Sequence, residues 1–217
     1  MLRIVVLGFL LCLVALGGLF ARRIYVERQP ITGTARFLVG GHKLQIDRAM
    51  VRNPELRDGG ATNRLDLVLQ WPAMNGAAQH MGTTDRNMLV FVGLEDATAR
   101  ARSPDDIDPS VRPVELYARF LDMEADEGPG GLVQRRFRKA SPYDGELLYL
   151  STPDERVFSA RCPQETAPSG DLCLWQLRLQ GVDLLVRFPP AMLAQWQHLN
   201  GTVRALVPRF RAASPDK

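Results

Sequence analysis

The sequence predicts a mainly β protein: a single antiparallel β-sandwich-like domain with one C-terminal α-helix, preceded by one N-terminal transmembrane helix. A run without charges opens the chain, short segments with apolar residues at every second position follow, and one late segment has helical spacing. With 46% hydrophobic and 24% charged residues, the 217-residue chain is typical of folded rather than disordered proteins. We expect 1–29 to be a signal anchor with a short linker, 30–210 an exported β-rich domain, and 211–217 a disordered tail.

The anchor is predicted from residues 4–20, which carry no charge and stand between Arg3 and the pair Arg22 and Arg23. As a helix this run is about 26 Å long, close to the thickness of a bilayer's hydrocarbon core. The small residues needed for cleavage are poorly placed, which favours retention over a cleaved signal peptide. The excess of arginine after the run would, by the positive-inside rule, place the body in the cytoplasm.

Cysteine usage indicates export instead. Cys162 and Cys173 flank a polar, turn-forming loop, a spacing that suits a disulfide across a hairpin. The spacing is too long for a redox CxxC motif, and two thiols are too few ligands for zinc. Because disulfides persist in oxidising compartments, the pair favours a single-pass bacterial inner-membrane protein with its body in the periplasm. The alternative is two buried free thiols in a cytosolic domain.

Two hairpins follow from registers that place every large apolar side chain on one face. A two-residue turn at 40–41 predicts the first, and a turn at 180–181 predicts the second, in which Arg178 also faces Asp183. The predicted apolar pairs are Phe37 with Leu44, Ala35 with Ile46, Leu179 with Val182, Leu177 with Leu184, Trp175 with Val186 and Cys173 with Phe188.

The remaining elements complete about nine or ten strands around one apolar core. Further strands are expected at 64–71, 88–94, 114–121, 132–138, 146–150, 156–161 and 202–207. A helix is expected over 190–200, with Pro190 in its first turn, an apolar stripe along one side, and Gly201 just past its end.

Charge excludes nucleic acid as a partner. The net charge of +3 comes from the first 29 residues, and residues 30–217 hold 23 basic and 23 acidic side chains, so the body offers no surplus to phosphates. Locally, a basic run follows the acidic stretch 122–127 across a glycine-rich turn. If both lie on one hairpin they would partly neutralise each other; the alternative is docking to an acidic partner or acidic lipid headgroups. The residues of this possible contact are Arg135, Arg136, Arg138 and Lys139.

Catalytic and cofactor patterns are poorly represented. The three histidines, His42, His80 and His198, are far apart and form no metal-binding motif, and no serine lies in a hydrolase motif. The aspartates at 105–108 could bind calcium, but the distal glutamate of an EF-hand is missing from this segment. We therefore expect no enzyme activity, no cofactor and no metal. The alternative is a catalytic site whose residues are far apart in the sequence and meet only in the folded protein.

A tether joined to a compact domain without these motifs predicts binding to another protein. The expected function is that of an accessory or assembly subunit of a membrane-associated complex in the cell envelope, since tethering raises the effective concentration of a domain beside membrane-bound partners. Three alternatives remain. They are an immunity-type inhibitor of a toxin, a periplasmic module that binds lipid or cell-wall material, and a hydrolase with a spatially assembled site.

Overall fold

A computed structural model describes residues 30–79, 81–82, 84–96, 108–109, 111–164 and 172–212. The expected anchor at 1–29 and the residues 213–217 of the expected tail lie outside these ranges. From Thr32 onward the described residues form one compact unit. None of the described helices is long and apolar enough to cross a membrane.

The described residues contain twelve strands and three α-helices. The strands are β1 (Thr34–Val39), β2 (His42–Asp47), β3 (Gly60–Thr62), β4 (Arg64–Gln70), β5 (Asn75–Gly76), β6 (Leu89–Asp96), β7 (Leu121–Glu127), β8 (Val133–Phe137), β9 (Glu146–Leu150), β10 (Ser159–Pro163), β11 (Cys173–Leu179) and β12 (Val182–Phe188). The helices are α1 (Arg112–Glu115), α2 (Trp196–Arg204) and α3 (Leu206–Ala212). The predicted mainly β class is confirmed. The sequence did not predict the short strands β3 and β5, and β7 shares only Leu121 with an expected strand.

The strands form two sheets. The larger has nine strands in the order β5-β4-β6-β12-β11-β10-β9-β8-β7, all antiparallel. The smaller has the order β2-β1-β3, and there β1 and β3 run parallel. The expectation of antiparallel pairing throughout is wrong at that pair. After β2 the chain passes through 3-10 turns at Arg48–Met50 and Pro54–Leu56, and it returns along the other side of β1 in the direction of β1.

Both predicted hairpin registers are confirmed, pair by pair. Each turn has two successive residues with positive φ, 54° and 85° at Gly40 and Gly41 and 50° and 82° at Gln180 and Gly181. This is the signature of the tight turn whose twist matches the twist of the flanking strands. The apolar faces and the turn geometry therefore select the same pairing.

The strand expected at 114–121 is wrong. The chain there forms α1 and then a 3-10 helix over Tyr117–Phe120, and β7 begins only at Leu121. A proline in the first turn favours α1, because its fixed φ suits a helix start. One apolar cluster contains Leu116, Tyr117 and Phe120. Because Phe120 follows the other two by four and three positions, all three lie on one helical face.

The C-terminal helix is longer than expected. A 3-10 helix over Pro190–Gln195 leads into α2, which continues through Gly201, so the predicted stop at that glycine is wrong. The helical region then continues in α3 through Ala212, so residues 211 and 212, which were expected in the tail, are helical.

The last strand, expected at 202–207, is also wrong, because that segment belongs to α2 and α3. Val203, Leu206, Val207 and Phe210 are buried at the three- and four-residue spacing of a helix. Pro208 has no N–H to donate to the carbonyl of residue 204, which accounts for the break between the two helices.

The main core lies on one face of the nine-stranded sheet and includes side chains from both sheets and from the C-terminal helices. Examples are Phe37 and Ile46 from the small sheet, Trp175 and Leu67 from the large one, and Phe210 from α3. Two smaller clusters lie on the opposite face, around Leu148 and around Val68. The single core expected from the sequence is thus joined by two minor ones, because both faces of the large sheet are partly covered.

Candidate functional site

The charged side chains singled out in the sequence lie on one hairpin. It consists of β7, the turn 128–132, β8 and the two residues that follow, and we call 121–139 the charged hairpin. β7 forms one edge of the nine-stranded sheet, and β8 joins it to β9. The hairpin places the acidic stretch 122–127 on the outermost strand and the basic run on its neighbour.

The predicted contact residues divide into two pairs. The guanidinium of Arg135 donates to the backbone carbonyl of Asp122, and that of Arg138 donates to the carbonyl of Arg119. These two arginines therefore hold the hairpin and the preceding segment together. Arg136 and Lys139 are exposed, and no hydrogen bond or ion pair is found for either among the described residues.

The acidic strand carries its charges without close partners. Within the part of the chain that the structure describes, no ion pair joins Asp122, Glu124, Asp126 or Glu127 to any basic group. The last three of these residues are exposed. The mutual neutralisation expected for this hairpin is thus not achieved by contact ion pairs, and both signs of charge face solvent.

A bulge interrupts β7. Leu121 pairs with Phe137 and Ala125 with Arg135, so that three residues of β7 stand opposite one residue of β8. Such a bulge breaks the ladder locally and turns side chains away from it. Met123, the middle residue, is 97% exposed, the most exposed large apolar side chain described. The Arg135 bond to the Asp122 carbonyl supplies a donor at this interruption.

The tip of the charged hairpin is attached to the C-terminal helices. The indole Nε1 of Trp196 donates to the carbonyl oxygen of Gly130 at 2.9 Å, and Leu132 is buried in the main core. Gly130 has φ 66°, and a Cβ there would lie 3.0 Å from the carbonyl oxygen of Leu193. Glycine is therefore required at this tip both for its left-handed backbone and for the close approach.

The base of the charged hairpin is fixed by an aromatic cluster. The rings of Tyr117, Phe137 and Tyr143 meet at centroid distances of 4.9–5.9 Å. The Arg161 guanidinium lies over the two tyrosine rings and forms an ion pair with Glu146 at 3.0 Å. Burial raises the pKa of Tyr117, against the opposing effect of the nearby Arg161 and Arg112 charges.

The histidines that the structure describes take part in contacts that hold the fold. His42 Nε2 lies 3.1 Å from the Gly181 carbonyl oxygen, and its Nδ1 lies 2.8 Å from a guanidinium nitrogen of Arg211. Because a guanidinium can only donate, Nδ1 accepts and Nε2 carries the proton. The ring of His198 meets Trp71 edge-on at 4.9 Å.

The remaining candidates are only partly described. His80 and the aspartates at 105 and 106 lie outside the described residues, and Asp108 forms an ion pair with Arg178 at 3.4 Å. Among the described residues, no group of three or more His, Cys, Asp or Glu side chains is placed to hold a metal ion.

The predicted disulfide between Cys162 and Cys173 is confirmed. It joins the neighbouring strands β10 and β11, and both cysteines are buried in the main core. The bond closes the loop between these strands and ties the half of the sheet that carries the charged hairpin to the central β11–β12 pair.

A shallow, open depression of about 260 Å³ lies beside the β1–β2 turn. Its lining is Leu38, Gly40, Gly41, Ala61, Thr62 and Asn63. Leu38 is exposed there, but the lining carries no charged side chain. The depression is thus a poorer candidate for a specific contact than the charged hairpin.

No protein-family model matches this chain, and no curated protein matches it significantly. Its structure is similar to that of Smlt3025, an immunity protein of the Stenotrophomonas maltophilia type IV secretion system, with a TM-score of 0.54 and 13% identity over 82% of this chain and 92% of that chain. A weaker likeness, with a TM-score of 0.47 and 11% identity over 84% of this chain and 94% of that chain, is to the iron-regulated outer membrane lipoprotein FrpD of Neisseria meningitidis. The first likeness shows that the fold of this chain is shared with a solved immunity protein.

Proposed function

We propose that this protein binds another protein in the bacterial cell envelope, and that the charged hairpin is its contact surface. One observation carries the proposal: β7 presents carboxylates that form no ion pair with any described residue, beside the 97% exposed side chain of Met123. An exposed large apolar group next to unpaired charges is suited to a partner that covers the first and neutralises the second. The attachments at the tip and base support the proposal further, since a preorganised surface loses less entropy on binding.

Binding is proposed rather than catalysis. A spatially assembled hydrolase site would use His42, His80 or His198. Of these, His42 and His198 are engaged with Arg211 and Trp71 in contacts that hold the fold, and His80 lies outside the described residues. We likewise propose that the function requires no cofactor.

The proposed location is the bacterial inner membrane, with 1–29 as a single-pass anchor and the body in the periplasm. The disulfide between Cys162 and Cys173 supports an oxidising compartment for the body. The charge-free run 4–20 supports the anchor.

Two protein-binding roles fit this surface. The first is an accessory or assembly subunit of a membrane-associated complex, which the combination of tether and contact surface favours. The second is an immunity-type inhibitor that neutralises a toxin, and the shared fold with Smlt3025 is the specific observation in its favour. An accessory subunit should copurify with resident envelope proteins, whereas an immunity-type inhibitor should form a tight one-to-one complex with a protein from outside the envelope.

The test is affinity purification of the full chain from gently solubilised native membranes, with identification and stoichiometry of bound proteins. The informative variant is Glu124→Gln with Asp126→Asn, which removes two charges of β7. The matched control is Glu55→Gln with Glu155→Gln, which removes two charges elsewhere. We expect a stoichiometric partner that is retained by the control and depleted with the β7 variant. A protein that purifies without any stoichiometric partner would refute the proposed function.

A further inference from the structure

We infer that β7 binds a basic, extended segment of the partner, which adds to the edge of the nine-stranded sheet as a further strand. This inference rests on the proposed function and deepens it, because it names the chemistry of the partner and the backbone that receives it. It combines three features of β7: an open edge, an excess of negative charge, and an exposed apolar side chain at a bulge.

The first feature is the outer edge of β7, with which none of the described strands pairs. Edge strands expose unpaired N–H and C=O groups, and proteins usually shorten or cover them. β5, at the other end of the large sheet, has two residues and packs so closely on the 3-10 turn at Arg48–Met50 that a Cβ on Gly76 would lie 2.4 Å from the Ala49 carbonyl carbon. In the small sheet, β3 has three residues, and α3 packs against β2. β7 has seven residues, of which 123–127 are exposed.

The second feature is charge. Four carboxylates lie along β7 and make no ion pair among the described residues. An added strand with Lys or Arg at alternate positions would place its cations beside Glu124 and Asp126 on one side of the sheet edge. Opposite charges in such cross-strand positions stabilise pairing, and like charges oppose it.

The third feature is the bulge. The part of β7 from Ala125 to Glu127 stays in register with β8 and offers the regular ladder for an added strand. The part before it presents Met123, whose flexible thioether chain adapts to varied apolar surfaces. A partner segment with cations over the regular part and an apolar residue near the bulge would contact both.

The same features disfavour other occupants. Two copies of this chain paired antiparallel through β7 would set carboxylates against carboxylates, which protects the free protein from association through this edge. An anionic membrane surface would be repelled for the same reason. A basic polypeptide is the occupant that the edge favours.

The location is tested by crosslinking in native membranes. A photoreactive amino acid is placed at Met123 and, in a control, at Asn75 on the opposite edge of the same sheet. We expect crosslinks from position 123 to a segment of the partner rich in Lys or Arg, and none from position 75. A partner that copurifies but crosslinks at 75, or at neither position, overturns the inference and leaves the proposed function standing. The absence of any copurifying partner overturns both.

The chemistry is tested with defined probes on the purified full chain. A ten-residue peptide alternating lysine and valine is compared with one alternating glutamate and valine, by fluorescence anisotropy. We expect the lysine peptide alone to bind, more weakly as salt rises, and about tenfold more weakly to Glu124→Lys with Asp126→Lys, a loss of about 1.4 kcal/mol. The control variant, Glu55→Lys with Glu155→Lys, should bind as the unmodified protein does.

Hydrogen exchange on the same complexes locates the contact. Among the amides of 124–127, those that point away from β8 should become protected by the lysine peptide. Equal binding by both peptides, equal binding by both variants, no binding of the lysine peptide, or protection confined to another strand would each overturn the inference.

Discussion

Reduction of the disulfide between Cys162 and Cys173 should lower the stability of the domain by an amount that the loop length sets. The two cysteines are 11 residues apart, and the chain-entropy model gives about 3 kcal/mol for a loop of this size, because the crosslink restricts the unfolded chain. For a domain of about 180 residues, each kcal/mol corresponds to about 2–4 °C in the melting temperature. Reduction should therefore lower the melting temperature by about 6–12 °C.

The assay compares thermal unfolding of the oxidised and the reduced protein, which share one sequence and differ only in the bond. The third cysteine of the chain, Cys12, lies in the expected anchor, and a Cys12→Ser background removes it so that intermolecular disulfides do not complicate the comparison. Alkylation of the native protein should modify neither Cys162 nor Cys173 until a reductant is added. Equal melting temperatures before and after reduction would refute the reasoning, since the loop would then not restrict the unfolded state.

Three further predictions concern stability. Trp196→Phe keeps an aromatic ring but loses the 2.9 Å hydrogen bond to the hairpin tip, and it should lower the free energy of unfolding in urea by about 1 kcal/mol; an unchanged value would contradict the attachment. Gly40→Ala should destabilise the protein more than Gly41→Ala does, because both have positive φ but only at position 40 would the Cβ meet Asp96, at 2.1 Å from Cγ; equal unfolding midpoints would contradict this. Since burial raises the pKa of Tyr117 in the folded state, stability should be unaffected below about pH 10 and fall as the pH rises further, and Tyr117→Phe should make that fall shallower in alkaline denaturation.

The features predicted best from the sequence are those that depend on pairing between strands close together in the chain. In both hairpins the turn residues and the alternation of apolar side chains agree, and a shift of one residue would expose the whole apolar face. The disulfide could be predicted for the same reason, since Cys173 falls on the buried face of β11 and its partner lies just across a loop. The neighbours of β6, by contrast, are fixed by long-range packing that no local pattern carries.

In two segments, the spacing of apolar residues alone led to the wrong secondary structure. The residues 114–121 alternate like a strand, but Leu116, Tyr117 and Phe120 also share a helical face, and packing against Phe137 selects the helix. In the second segment, Gly201 suggested the end of a helix although the apolar residues after it keep helical spacing.

For the candidate site, the sequence showed the acidic stretch, the basic run and the glycine-rich turn between them, but it predicted neither strand β7 nor its bulge. The bulge depends on how β7 pairs with β8, and this register also decides that Arg135 and Arg138 bind backbone carbonyls while Met123 is exposed. Met123 carries no signal in a single sequence, because one methionine among acidic residues has no distinctive pattern.

Because of the strand order in the large sheet, the β4–β6 pair stays incomplete while the chain is being synthesised on the ribosome. β6 pairs with β12, and Val92 lies opposite Val186, which follows 94 residues later in the chain. This pairing therefore cannot form until most of the chain has been synthesised. Until the C-terminal hairpin arrives, the β4–β6 pair has an open apolar edge, which is the kind of surface on which incomplete chains aggregate. A chain truncated before β12 should therefore not fold into a stable domain, although it would contain every strand up to β11.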